Sequence, residues 1–520
     1  MARVGRRLVI HSLMSSAPSL TRTVVKNASA NLVRLAGAGV VALLLPPFLV
    51  RELSKDVYGA WSLLLQLTLY VSYFDFGIQT AVSRFVAHAE ELGDEKQRDG
   101  VVSTAFFMLL VAALLGCALA VIIAWQLPNL FRQMPPSLYQ PAQIALLFMG
   151  ISFGLGLPVS VIHALFIGLQ RNEIPAAVAI ANKVAMAALV AGVVLNHLGL
   201  AAMGASVALA NVLSCVGALI AWRAWAARVR IHFARVSRTY VRQIGGYSAS
   251  VVVWMVAMLM ISGLDLGIVG IFDYKMTAYY AIAATLTNFI AQAQGAIFSA
   301  LLPASAVLGA RGDGERLGLM LASSTRYGML ILLAMALPLI VGGHWIIRFW
   351  AGEDYAQHAT TILQVLVTAN VLRLCVLPYS TLLLGTGQQE RVIISPVAEG
   401  IGNLLASIAG AFFFGAVGVA IGTLIGSLIG VALHFLYNMP RTALISIDRG
   451  RLLKECLLRP LFCLAPFALL LVLRVSVIRV EPSTKISLVI LAAIGALVLV
   501  WNFGLASSER HRLASILGHP

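Results

Sequence analysis

Long apolar runs recur from one end of this sequence to the other, and no other feature narrows the fold so far. A run of about 18 or more residues is long enough to cross a bilayer. Within lipid the backbone has to satisfy its own N–H and C=O groups, so a spanning segment is a helix or a strand of a closed barrel. These runs are continuously apolar and do not alternate, which selects helices. Composition agrees. Hydrophobic residues make up 60%, charged residues 11%, and mean hydropathy is +0.91. A soluble globule carries about 25% charged residues, and this chain has too few to cover a water-facing surface. It reads as an all-α integral membrane protein.

Fourteen candidate spans can be placed, near 28–50, 57–83, 101–125, 142–168, 175–195, 201–222, 244–268, 277–305, 319–346, 359–384, 392–414, 416–438, 457–473 and 485–505. Most reach the roughly 20 residues that a helix needs at 1.5 Å per residue. The break at Gly415–Gly418 is so short that it predicts a tight turn. The net charge of +16 invites a nucleic-acid reading, which the placement of the charges removes. With the N-terminus inside, 26 of the 37 Lys and Arg residues fall in cytoplasmic segments and 8 outside, the bias expected of inner loops. Both termini are therefore expected in the cytoplasm. Arg3, Arg6 and Arg7 precede only a short apolar patch, which makes a poor secretory signal. The five cysteines lack C-x-x-C spacing and read as small buried hydrophobes.

The chain also repeats itself, a feature that sets the whole architecture. Gly93 and Asp94 recur as Gly312 and Asp313 in ALLPASAVLGARGDGER, 219 residues on; Gln170 lines up with Gln388, and Gly199–Ala201 with Gly418–Ala420. Two six-span copies follow, inserted in the same sense as parallel repeats. The expected domains are a tail (1–26), an N-terminal bundle (27–222), a basic linker (223–243), a C-terminal bundle (244–440) and a basic loop with two appended helices and a tail (441–520).

No G-x-x-x-x-G-K-[ST], H-E-x-x-H or G-x-S-x-G motif occurs, so the sequence shows no sign of ATP hydrolysis or metal-assisted chemistry. What it offers is ionisable residues at membrane depth, where a charge usually faces a cavity or a partner. Lys183 and Arg373, with Asn182 and Asn370 beside them, are candidates for lining a substrate cavity, and Arg34 joins them. Positive charge in low dielectric would suit an anionic diphosphate head group. Asp75, Gly77, Arg84, Asp265 and Glu399 are structural or gating candidates. Blander readings stand beside these. Arg34 and Arg84 also read as snorkelling to headgroups, Asp265 as a rim residue near Asp273 and Lys275, and Asp75 as paired with a neighbouring Arg. Gly418, Gly422, Gly426 and Gly430 read as a helix-packing face.

The stretch YGAWSLLLQLTLYVSYFDFGIQTAVSRFVAHAEELGDEKQ (58–97) resembles the second span and following loop of Wzx-type polysaccharide-biosynthesis flippases. These belong to the multidrug/oligosaccharidyl-lipid/polysaccharide exporter superfamily. FIGLQRNEIPAAVAIANK (166–183) is similar to the segment entering their fifth span. The resemblance implies a two-bundle, V-shaped carrier in the bacterial inner membrane, with no ATPase and no cofactor. Such a carrier moves an undecaprenyl-diphosphate-linked oligosaccharide between leaflets by alternating access, in some members driven by an ion gradient (H+ or Na+). A cationic central cavity is implied as well. Asp75, Phe76, Gly77 and Arg84 fit the family pattern best, while the second copy has Ala293 and Pro303 where counterparts of the charges are sought. The implied partners are the lipid-linked oligosaccharide, membrane lipids and a polysaccharide polymerase or export machinery, with no nucleic acid.

Two rivals remain. A cation-coupled multidrug antiporter of the same architecture would want acidic residues in its cavity. A membrane-embedded glycan polymerase would want a large extramembrane loop, and the longest outside segment, 126–141, is short and poor in Asp, Glu and His.

Overall fold

The computed structural model describes residues 37, 39–388, 393–466, 469, 491–492 and 494–504. Among these, every regular element is helical. In chain order they are α1 (39–52), α2 (Lys55–Ser72), α3 (Ile78–Glu91), α4 (Glu95–Leu130), α5 (Pro136–Gly168), α6 (Glu173–Leu195), α7 (Gly199–Trp225) and α8 (Arg238–Met258). Then follow α9 (Asp265–Phe272), α10 (Thr277–Ser299), α11 (Leu301–Ala310), α12 (Gly314–Ala351), α13 (Glu353–Leu374), α14 (Leu377–Gly385) and α15 (Ile394–Leu433). The chain divides into two compact units, Met1–Met255 and Val256–Pro520.

Eight described helices are long and apolar enough to cross a membrane, or nine if the bent pair α13–α14 is one span. This is a multi-pass membrane protein. The fourteen expected spans are not all found as single helices. The 57–83 span is broken: a 3-10 turn at Tyr73–Asp75 leads into Phe76 (φ 50°) and Gly77 (φ 72°), both left-handed. Two left-handed residues in a row cannot continue a helix, and an apolar pattern does not register such a break. The first span and the last two lie partly outside the described residues.

One of the eight, by contrast, holds two passes. Inside α15, Gly415 takes φ 57° and ψ −139°, and beyond it the chain folds back. A Cβ at Gly418 would meet the Gly410 carbonyl oxygen, one at Gly422 the Ser407 nitrogen, one at Gly426 the Asn403 Cβ and one at Gly430 the Glu399 carboxylate. The paired numbers run in opposite directions, so the limbs 394–414 and 416–433 are antiparallel. This is the predicted tight turn, and the glycine series is its packing face. Asp273 Oδ2 accepts from the Ala416 N–H at 3.2 Å, capping the returning limb.

The internal repeat is visible in the turns. Gly93 (φ 65°) and Gly312 (φ 69°) are both left-handed. Asp94 Oδ1 accepts from the Gln97 N–H at 2.9 Å, and Asp313 Oδ1 from the Arg316 N–H at 3.1 Å. The backbone bonds Asp94 N–H to Ala89 C=O and Asp313 N–H to Leu308 C=O also match at 219. In the next turn the register slips. Arg171 N–H to Phe166 C=O corresponds to Gln388 N–H to Leu383 C=O, and left-handed Gln170 corresponds to left-handed Gly387. The structural counterpart of Gln170 is therefore Gly387, at 217, and not Gln388. Identity of residue type was the weaker guide there, because the turn selects a backbone conformation.

In the first unit, α5 packs between α4 and α7, with Val101, Ala105, Val161, Leu165 and Ala218 in the shared core. Small residues let these backbones approach: a Cβ at Gly154 would lie 2.4 Å from Cys117 Sγ, and one at Gly204 2.5 Å from Ala145 Cα. All described cysteines are free, three buried and two half-buried.

Candidate functional site

In the second unit a polar group forms around an irregular stretch of backbone. After α8 the chain makes a π turn at Leu259–Gly263 and restarts as α9 at Asp265. A π turn takes carbonyls out of the regular helical ladder. Asn403 Nδ2 donates to the Met260 and Ile261 carbonyls at 2.9 and 2.5 Å, and lies 3.5 Å from Asp265 Oδ1. Thr423 Oγ1 donates to Asp265 Oδ2 at 3.0 Å and Tyr280 OH does so at 3.4 Å. Ser407 Oγ bridges Asn403 Oδ1 (3.0 Å) and the Val419 carbonyl (3.2 Å). Asp265, Asn403, Ser407 and Thr423 are all buried. An unpaired charge buried this way is strongly destabilising, and three donors converge here on one carboxylate.

Glu399 lies one helical turn before Asn403 on the same face and is only 5% exposed. Its Oε1 has no hydrogen-bond partner, and space for its carboxylate exists only because residue 430 is glycine, where a Cβ would sit 2.3 Å from Oε2. Arg373 on α13 acts electrostatically on both Asp265 and Glu399. Its guanidinium donates to Asn370 Oδ1, and Asn370 Nδ2 donates to the Thr287 carbonyl at 3.2 Å, tying α13 to α10. Two buried carboxylates and several neutral oxygens therefore lie in one unit with half-buried Arg373 near enough to act on both carboxylates. The group's donors are hard oxygens (carboxylate, amide, hydroxyl and the Val419 carbonyl), the set that suits a small monovalent cation or a proton. Among the described residues no group of three or more His, Cys, Asp or Glu is placed to hold a metal ion.

The sequence singled out Asp265, Glu399, Asn370 and Arg373, and the structure brings these four into one unit and one electrostatic neighbourhood. Asp265 is buried and not at a rim. The remaining candidates do not join them. Asn182 Nδ2 donates to Asn211 Oδ1 at 3.3 Å, which in turn reaches Ser152, while Lys183 beside it is exposed. Asp75 Oδ1 accepts from the Gln79 N–H at 3.4 Å, at the start of α3, instead of pairing with an arginine. A Cβ at Gly77 would meet Val251 Cγ1 at 2.4 Å. Exposed Arg84 lies 5.3 Å from the centroid of the Tyr247 ring. Arg34 lies outside the described residues. The register of the matched turns also puts buried Gln294, not Ala293, opposite Asp75; its Nε2 donates to the Gly328 carbonyl at 3.2 Å.

Sequence reasoning missed Ser407 and Thr423, although the polar residues 399, 403 and 407 stand four apart on one helical face. It also counted Arg98, Arg228 and Arg235 only as topological charges. Arg98 is buried between Glu90 (3.1 Å) and Asp99 (3.1 Å), while Arg228 pairs with Glu90 and Arg235 with Asp99.

Comparison with known proteins places this geometry. The fold is shared with the lipid II flippase MurJ in an inward closed conformation (TM-score 0.71, 13% identity, 91% of this chain and 98% of that one). It is shared too with an inward-facing multidrug-resistance MATE family transporter of the MOP superfamily (0.61, 17%, 81% and 99%) and a MATE transporter from Vibrio cholerae (0.59, 14%, 83% and 99%). A search of curated proteins finds no match. These folds are those of transporters and not of enzymes. The model of the family described as "Polysaccharide biosynthesis protein" matches residues 24–308, more than half of the sequence, and the chain belongs to that family.

Proposed function

We propose that this protein is a flippase for a polyprenyl-diphosphate-linked oligosaccharide, a repeat unit of a polysaccharide or lipopolysaccharide. It would work by alternating access in the bacterial inner membrane, with both termini cytoplasmic. The observation that carries this reading is a polysaccharide-biosynthesis family match on a chain with the fold of a lipid-flipping transporter. A polymerase or export machinery would receive the translocated unit.

The Asp265 group is the place for a coupling ion, H+ or Na+. Asp265, Asn403, Ser407, Thr423 and the Val419 carbonyl supply the oxygens, and burial excludes competing water. A bound cation would offset the negative excess of Asp265 and Glu399 over Arg373, so occupancy biases the conformations in which that charge stays buried.

A deletion strain supplied with the parent gene should clear the lipid-linked oligosaccharide that builds up on the inner leaflet. Asp265→Asn should leave it there although the protein inserts normally. Persistent build-up with the parent gene would overturn the reading. The two buried carboxylates also favour a second reading, an antiporter exporting organic cations. That reading predicts lower drug accumulation in efflux-deficient cells expressing the protein, with no change in lipid-linked sugar.

A further inference from the structure

The connection between α7 and α8 is a built surface. Residues 223–243 contain six arginines and no Asp or Glu. The segment is fastened to the start of α4. His232 N–H donates to Ser103 Oγ at 3.1 Å, Ser103 Oγ donates to the Arg230 carbonyl at 3.3 Å, and Ser237 N–H donates to Thr104 Oγ1 at 3.3 Å. Trp222 Nε1 donates to the Val229 carbonyl at 3.2 Å, and Phe233 packs edge-on to Phe107.

That docking divides the charges into two sets. Glu90 and Asp99 are the acids that reach the segment, and both are taken up by Arg98, Arg228 and Arg235. Among the described residues Arg223, Arg230, Arg238 and Arg242 form no ion pair, and all four are exposed. Two aromatic rings stand out beside them, Trp225 at 57% and Phe233 at 71% exposure. The segment joins two apolar spans, so it lies at the level of lipid headgroups. Exposed tryptophan is the side chain enriched at that level. A guanidinium recognises a phosphate by two parallel hydrogen bonds.

We propose that the Arg223–Arg242 face binds the headgroups of anionic phospholipids in the adjoining leaflet, held in shape by the Glu90–Arg98–Asp99 network. The chemistry selects a net negative phosphodiester over a zwitterionic one. The segment itself carries four cations without an ion pair and no Asp or Glu to receive a choline or ethanolamine.

The test is native mass spectrometry of the purified full chain, counting phosphatidylglycerol retained in competition with phosphatidylcholine. Arg230→Gln with Arg238→Gln should weaken phosphatidylglycerol retention roughly 25-fold, about fivefold per arginine. Arg223→Gln with Arg242→Gln should do the same. Arg132→Gln removes one charge, half that of each pair, beyond the opposite end of α4 and should change nothing. All variants alter exposed side chains, so their thermal unfolding in phosphatidylcholine alone should match the parent. Equal retention by both double variants, an equal loss in Arg132→Gln, or no preference over phosphatidylcholine would each overturn the proposal.

Discussion

The α15 hairpin makes a graded prediction, because its four glycines face different atoms. An alanine at 422 would put Cβ 2.3 Å from the Ser407 nitrogen, where ordinary van der Waals contact begins at 3.4 Å. That neighbour is backbone, so the limbs themselves must separate by about an ångström. Overpacking of this kind costs about 1–3 kcal/mol. Replacing a helical glycine by alanine returns up to about 1 kcal/mol, leaving a net loss of up to about 2 kcal/mol when that gain is complete. At 430 the clash is with Glu399 Oε2, the end of a side chain that can rotate, and the net loss should be smaller. Gly217 has nothing within 4 Å of its added Cβ and serves as the control, stabilised by about 0.5–1 kcal/mol. Thermal unfolding in detergent should give the order Gly217→Ala, parent, Gly430→Ala, Gly422→Ala from most to least stable. Gly422→Ala should fall by up to about 4 °C below the parent. A Gly422→Ala protein as stable as Gly217→Ala would refute the antiparallel packing.

Three further outcomes follow from the same reasoning. Arg98→Ala leaves Glu90 and Asp99 without their buried partner and should destabilise by about 3–5 kcal/mol, read as lost thermal stability and increased proteolysis of the 226–237 connection. Gly77→Ala should lower the yield of folded protein. Adding Val251→Ala removes the 2.4 Å clash with Val251 Cγ1 but keeps the Cβ at 2.7 Å, so it should restore only part of that yield, with about 1–2 kcal/mol for the left-handed backbone still opposing the fold. Arg373→Glu places a third carboxylate beside Asp265 and Glu399, and should abolish translocation while membrane insertion, followed by fractionation, stays normal.

The membrane helices, the repeat and the hairpin turn at Gly415 were legible because each is a matter of local pattern: apolar length, a Gly-Asp cap, a glycine every fourth residue. The break at Tyr73–Gly77 was not, since only Gly77 hints at a left-handed residue and Phe76 hides its partner. The slip from 219 to 217 was hidden because backbone conformation, not residue identity, is what Gln170 and Gly387 share. For the site, rarity of charge within apolar helices was enough to find Asp265, Glu399 and Arg373. It could not say which approach one another, because Asp265, Asn403 and Thr423 meet only after α9 and both limbs of α15 are packed. Nor could it separate Arg228 and Arg235, which are neutralised by Glu90 and Asp99, from the arginines that stay free.

The most direct test is translocation by the purified protein in sealed vesicles carrying a fluorescent polyprenyl-diphosphate-linked oligosaccharide, with a membrane-impermeant glycosidase outside. The account predicts that an imposed H+ or Na+ gradient raises the fraction of glycan cleaved above that in protein-free vesicles. It also predicts that Asp265→Asn abolishes the gradient-dependent part. Cleavage indistinguishable from protein-free vesicles under both gradients would contradict it.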